Sequence, residues 1–406
     1  MLLSRLSNRV FGWLGHPLRT SHSAETPRRG PRTHVIILDG TLSSLEQGRE
    51  THAGITYRLC REMGGQISVY YEAGVQWPNW RKTLDVMMGR GINRQIRRAY
   101  GYLASRYRPG DRIFLIGYSR GAFAVRSLAG VIDMVGLLRA DHATERNVEM
   151  AYRHYEYNPF GNHAAAFRRA YCHDSIQIEA VGVWDTVKAL GLRLPILWRG
   201  ADERHSFHNH QLGQSVKNGF HALALNETRE VYQPVLWECP PAWPGRVEQV
   251  WFRGTHGDVG GQLCGYEAAR PLANIPLLWM LESLETCGFP LPENWRHRFD
   301  VDPEAPSVGT VRGWGLIFLL RRPRVPGRDR SERLHVSVRA RHPPPRTGPA
   351  INLALRGGAV LASLPGHVAG RAKRWKTLQG NVHGSPAQDR ESGPHRRMHW
   401  RWRAPR

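Results

Sequence analysis

Short, dense apolar runs alternate along this chain with longer stretches of helical period, and glycine-bearing turns separate them. "HVIILDGT" is an apolar run of strand length that stops on Asp39-Gly40-Thr41, which predicts a buried strand entering a turn. "QISVYYEAG" (66–74) predicts a second strand. Over 92–107, Ile92, Ile96, Tyr100, Leu103 and Tyr107 recur at steps of three and four, the stripe of an amphipathic helix. Arg108-Pro109-Gly110-Asp111 ends it. The strand "RIFLIG" follows, then 122–138, too long and apolar for anything but a mostly buried helix. "IQIEAVGVWD" (176–185) and "VEQVWFRG" (247–254) predict two more strands, and 277–289 a helix with Gly288 near its end.

Apolar strands alternating with helices predict an α/β fold, a mainly parallel sheet covered by helices on both faces. The connections 139–175 and 186–245 are long for such a fold. They carry amphipathic pieces such as "NVEMAYRHYEY" and are expected to be inserted cap or lid helices. No internal repeat stands out.

Charge divides the chain further. The net +23 is concentrated at the ends: residues 1–33 carry 6 basic side chains against 1 acidic, and 321–406 carry 20 against 4. The body, 34–320, holds 31 against 29 and is nearly neutral. A sequence-wide surplus of this size suggests nucleic acid, but its distribution excludes the body as a specific nucleic-acid reader. The basic ends suit non-specific contact with an anionic membrane surface or RNA. Three regions are expected: a basic N-terminal extension (1–33), one domain (34–345), and a basic tail (346–406) poor in periodicity and acids and therefore disordered. The tail's composition also fits an altered reading frame. The five cysteines are odd in number and widely spaced, with no metal or disulfide framework, which points to a reducing compartment. No apolar run is long enough to span a membrane, and "MLLSRLSNRVFGWLGHPLRT" lacks the unbroken core of a signal peptide. A cytoplasmic location in the producing cell is expected, with any export proceeding without a cleaved signal.

Gly117-Tyr118-Ser119-Arg120-Gly121 fits Gly-x-Ser-x-Gly. The five-residue pattern is short enough to arise by chance, but here a strand precedes it and a helix follows without a gap, the context of a nucleophile elbow. The same context fits a serine that only caps the helix. A nucleophilic serine needs a base, and the base an orienting acid. Downstream strand ends supply both in the order this arrangement takes: Asp185 after "AVGVW", then His256 after "QVWFRGT". Asp258 is a rival acid, or holds its glycine-rich loop; Asp174, Asp202 and His221 are weaker rivals, with no clear strand leading into them. The backbone N–H of Arg120, at the start of the helix, and one from Gly40 or Thr41 would receive an oxyanion. No metal or organic cofactor is required.

"ILDGT", "IGYSRGAFAVRSLAG", "VGVWDTVKALG", "SVKNGFHALALNETREVYQPVLW" and "QVWFRGTHGDVGG" together resemble, in order, the motifs of an α/β-hydrolase family that includes the catalytic domains of type VI secretion phospholipase effectors. The resemblance spans about residues 34–345. It implies a serine hydrolase cleaving acyl esters of membrane lipids, with Ser119 as nucleophile, Asp185 as acid and His256 as base. Leu42 and Ser43 depart from the family's usual Trp-Asn after Gly-Thr, and Asn226 stands where an Asp is expected. A soluble carboxylesterase of small esters and a non-catalytic interaction module on the same fold are the competing readings.

Overall fold

The computed structural model describes residues 29–41, 43–74, 90–187, 211–241, 243–311 and 320–339. The chain divides into two compact units, 1–360 and 361–406. The second unit, most of the N-terminal extension, the expected tail, Leu42 and Asp202 all lie outside the described residues.

Among the described residues, seven strands form one sheet: β1 (Thr33–Leu38), β2 (Ile67–Glu72), β3 (Arg112–Tyr118), β4 (Ile178–Trp184), β5 (Val216–Ala224), β6 (Arg246–Phe252) and β7 (Glu332–Leu334). Their order is β2-β1-β3-β4-β5-β6-β7, and every pairing is parallel. Parallel strands need covered faces, and the near-continuous apolar runs of β1 and β3 meet that need. Val35 and Ile37 enter the core on one face together with Phe114 and Ile116; Ile36 and Leu38 enter the other with Leu115. On the first face lie α1 (His52–Glu62) and α7 (Arg270–Thr286). On the second lie α2 (Arg90–Ala104), α3 (Arg120–Met134), α4 (Glu145–Tyr157) and α5 (Asn162–Tyr171). The α/β architecture with helices on both faces is therefore the one found.

Three differences from the sequence reading have local causes. Residues 186–245 are not wholly an insertion, because β5 runs through them as an interior strand of the sheet. Lys217, Asn218 and Gly219 interrupt its apolar run at the less covered start of the strand, and so hide it. Helix α1 carries Gly54 and Thr56 on its buried face, which blunts its apolar stripe; Thr51 caps it by accepting from Gly54 N at 3.1 Å. Helix α7 begins at Arg270 rather than near 277, since Pro271 sits in its first turn, where a missing N–H costs nothing. Within 139–175, α4 and α5 bury Val148, Ala151, Tyr155, Ala164 and Phe167.

Phe114 is fully buried on β3 and meets Phe289 edge to face at 5.1 Å. Phe114→Ala is expected to cost about 3–5 kcal/mol of unfolding free energy, read as a lower denaturant midpoint at unchanged slope. A loss under about 1 kcal/mol would mean that this core is not packed as described.

Candidate active site

The β3–α3 junction bends sharply at Ser119, whose φ of 58° and ψ of −119° are rarely adopted by a side-chain-bearing residue. The flanking glycines permit it by close approach. A Cβ on Gly121 would stand 2.1 Å from the Leu38 carbonyl oxygen, and one on Gly117 2.7 Å from the Gly121 carbonyl oxygen. Ser119 makes no side-chain cap bond to α3. Its Oγ instead lies 2.8 Å from His256 Nε2. The capping alternative is thus not the geometry adopted.

His256 opens the short helix α6 (His256–Gly260) just beyond β6. Asp258, the rival acid, fastens this loop: its Oδ2 accepts from Thr255 N at 2.7 Å and from Ser307 Oγ at 2.5 Å, and its Oδ1 from Val308 N at 2.8 Å. Glu227 accepts the His256 N–H at 3.1 Å while forked by Arg229 Nε and Nη2 at 2.8 and 2.6 Å. Asn226 Oδ1 accepts from Gly254 N at 2.8 Å, so the amide oxygen serves as the acceptor at the position where an Asp is expected. The imidazole itself is stacked between two rings, Tyr118 at 5.0 Å and Tyr232 at 4.6 Å between centroids. These two rings fix its plane.

Asp185 tops β4 with φ 42° and is fully buried. Its Oδ2 lies 2.6 Å from His256 Nδ1. Arg324 grips the same carboxylate, Nη1 to Oδ1 at 2.6 Å and Nη2 to Oδ2 at 3.0 Å, and also donates to the carbonyls of Ala224 and Tyr232. Burial alone would raise the Asp185 carboxyl; the Arg324 charge and the His256 hydrogen bond outweigh it and hold the group well below the ordinary carboxylate range. A carboxylate can only accept, so Nδ1 carries the hydrogen and Nε2 presents its lone pair to Ser119.

Arg324 is absent from the sequence reading. It lies in the arginine-rich stretch after 320, where composition gives no reason to single out one guanidinium. Glu332 accepts from Gly327, Arg328 and Asp329 N–H groups at 2.9, 2.6 and 2.7 Å and so ties that stretch to β7. Tyr118, Glu227, Arg229 and Tyr232 are also additions. The last three belong to a motif already quoted, "LNETREVY", and their spacing is the signal that could have found them.

The remaining candidates separate. His221 is buried inside β5, accepts from Thr186 N at 3.1 Å, and is pushed down to about 3 by burial and then by the Arg126 charge; it braces the Asp185 turn as a neutral ring. Asp174 is exposed ahead of β4. Gly40 lies beside the elbow, a Cβ there falling 3.3 Å from Ser119 Cβ, but its N–H already donates to Asp39 Oδ1 at 2.6 Å. As placed, that N–H is not free to receive an oxyanion. Asp39 also accepts from Thr51 Oγ1 at 2.6 Å and Tyr71 OH at 2.7 Å; burial raises it to about 6 against these bonds. Among the described residues, no group of three or more His, Cys, Asp or Glu is placed to hold a metal ion.

A parallel sheet with a strained serine elbow and a Ser–His–Asp hydrogen-bond chain at its carboxyl edge defines a class of α/β protein. Residues 32–283 match the family described as the type VI secretion system (T6SS) Tle1-like phospholipase effector, catalytic domain, and the chain belongs to that family. The chain is also 31% identical over 232 residues to the uncharacterized protein YEL023C of Saccharomyces cerevisiae, covering 53% of this chain and 32% of that one. It therefore spans about a third of the length of that curated relative. Two solved structures are similar at lower identity. One is an uncharacterized protein from Pseudomonas aeruginosa (17% identity, TM-score 0.37, 74% of this chain and 51% of that one). The other is the Tle1 effector bound to the VgrG spike (16% identity, TM-score 0.28, 61% and 55%).

Arg324→Met leaves a buried carboxylate without its main counter-charge, and a loss of about 3–5 kcal/mol is expected. The pH signature follows from the sign of the shift. The depressed Asp185 contributes stability that is complete above its ordinary 3.8 and lost as pH falls through its lower folded value. Acid unfolding, followed by tryptophan fluorescence, should therefore begin at higher pH in Arg324→Met than in the parent. An unchanged acid transition would contradict the pairing.

Proposed function

We propose that this chain is a serine hydrolase that cleaves acyl esters of membrane phospholipids. The observation that carries the reading is the hydrogen-bond chain from Ser119 Oγ through His256 to Asp185, with links of 2.8 and 2.6 Å. Ser119 Oγ attacks the ester carbonyl while Nε2 of His256 takes its proton. The imidazolium that forms is stabilised by Asp185 and held in plane by Tyr118 and Tyr232. The proton then passes to the departing alcohol, leaving an acyl group on Ser119. Water, deprotonated by the same Nε2, completes hydrolysis.

The oxyanion of each tetrahedral intermediate is received by the Arg120 N–H at the head of α3 and by the Gly40–Thr41 turn. Because the Gly40 N–H is bonded to Asp39, Thr41 is the donor that this turn offers without breaking a bond among the described residues. Family membership is what favours a phospholipid over a small soluble ester. The basic segments at both ends suit an anionic bilayer surface. Among the described residues no helix is long and apolar enough to cross a membrane, so contact of the described part with lipid would be from the surface.

Vesicles of phosphatidylglycerol and phosphatidylcholine, incubated with purified protein, should release fatty acid. Ser119→Ala and His256→Ala should each lower the rate by about 10³-fold or more at unchanged fold. Hydrolysis confined to short water-soluble esters would replace the lipid with a small-ester substrate. No hydrolysis of either by folded protein would leave a non-catalytic module.

A further inference from the structure

Arg120 follows the nucleophile directly, at the head of α3. Its backbone N–H faces the oxyanion; its side chain is half-buried. The other arginines around the site are committed. Arg324 grips Asp185, Arg229 is paired with Glu227, and Arg126 donates to the carbonyls of Val235 and Leu236. The Arg120 guanidinium makes no hydrogen bond or ion pair among the described residues. A guanidinium stays protonated in a protein, so this is a whole charge partly withdrawn from water without a counter-charge. Burial is the main influence on its pKa and lowers it, the mark of an unfavourable withdrawal. An anion that arrives with the substrate would relieve it.

Its position says which anion. The groups whose charge it feels are the phenols of Tyr232, first, and Tyr118. These are the two rings stacked on the His256 imidazole, at 4.6 and 5.0 Å. The side chain is therefore turned toward the histidine side of Ser119. That is the side on which the alcohol of an ester leaves, because Nε2 of His256, 2.8 Å from Ser119 Oγ, must hand its proton to the departing oxygen. Rings cover both faces of the imidazole, so the alcohol approaches along the edge that carries Nε2. A charge here meets the alcohol portion of the substrate and not its acyl chain.

We propose that the Arg120 side chain determines specificity by pairing with a phosphate carried on the departing alcohol of the ester. The inference rests on the serine hydrolase reading, which fixes where that alcohol lies. In a glycerophospholipid the departing oxygen and the phosphate belong to one glycerol unit, so a group beside the first can touch the second. A guanidinium matches phosphate oxygens in fork geometry. Neutral glycerides and simple alkyl esters bring no anion and leave the charge unrelieved.

Two soluble esters with the same acyl group, hexanoyl-lysophosphatidylglycerol and monohexanoylglycerol, test it. Calorimetric titration of the folded Ser119→Ala protein reads binding without turnover. The phosphate-bearing ester is expected to bind tighter by about tenfold or more, the value of one charge-assisted hydrogen bond. Adding Arg120→Gln, at unchanged thermal midpoint, should remove most of that preference, and Arg120→Lys, which keeps the charge, should retain part of it. With Arg120 in place, the preference should shrink as ionic strength rises. In turnover with Ser119 intact, Arg120→Gln should lower the ratio of kcat/KM between the two esters by about tenfold or more. No binding preference, or one that is indifferent to salt or survives Arg120→Gln, would overturn the proposal. So would an equal loss of kcat/KM on both esters, which would assign the side chain to the oxyanion, or inorganic phosphate bound as tightly as the ester, the mark of a free-anion site. Preferential binding without turnover would contradict the hydrolase and keep the phosphate contact. Turnover without preferential binding would do the reverse.

Discussion

The carboxylate of Asp185 is the constraint on which the rest of the site depends. It is fully buried at the top of β4, where an unpaired charge would be prohibitively expensive. Three partners relieve it: Arg324, from a segment about 140 residues downstream in sequence, His256, from the loop after β6, and the Ala224 N–H at the end of β5, which donates to Oδ1 at 3.0 Å. Meeting all three requires the strands to be in register and the stretch after 320 to be seated. The site therefore forms only with the fold. Arg324 also limits how freely Asp185 follows its histidine, since the guanidinium holds both carboxylate oxygens in place. The imidazole orients to a fixed acid.

Two other strains are absorbed around this pair. Ser119 and Asp185 both have positive φ, and each stands just past a strand whose hydrogen-bond ladder continues into it: Ser119 N donates to Trp184 O at 3.0 Å, and Asp185 N to Ala222 O at 2.8 Å. The ladder supplies the over-determination that such backbone angles need. Apolar cores on both faces hold the strands, and the tyrosines at 118 and 232 carry the packing up to the imidazole. Burial thus passes without a break from the sheet into the site.

Much of this was legible in the sequence because it is local. The apolar runs of β1, β3, β4 and β6, the elbow glycines, and an acid and a histidine placed just after strand ends are patterns that a few adjacent residues define. Residues 32–283, which match the family, hold those patterns and the motif "LNETREVY". The rest is legible only in three dimensions. Strand β5 carries Lys217 and Asn218 directly after its buried first residue, Val216, where it is less covered, and Arg324 differs from the arginines around it only in what it touches. The Gly40 N–H looks available in sequence and is taken by Asp39 in space. A buried group such as His34 Nδ1, which has no partner among the described residues, cannot be seen in sequence at all, since that is a property of the packed neighbours.

The central claim is that Ser119 is made nucleophilic by His256 within this buried chain of hydrogen bonds. Covalent labelling with a fluorophosphonate, mapped by mass spectrometry of the intact folded protein, tests it most directly. The account predicts a single adduct on Ser119, formed rapidly by the parent protein and nearly abolished in His256→Ala. No adduct on Ser119 in folded protein, or one that forms as fast without His256, would contradict it.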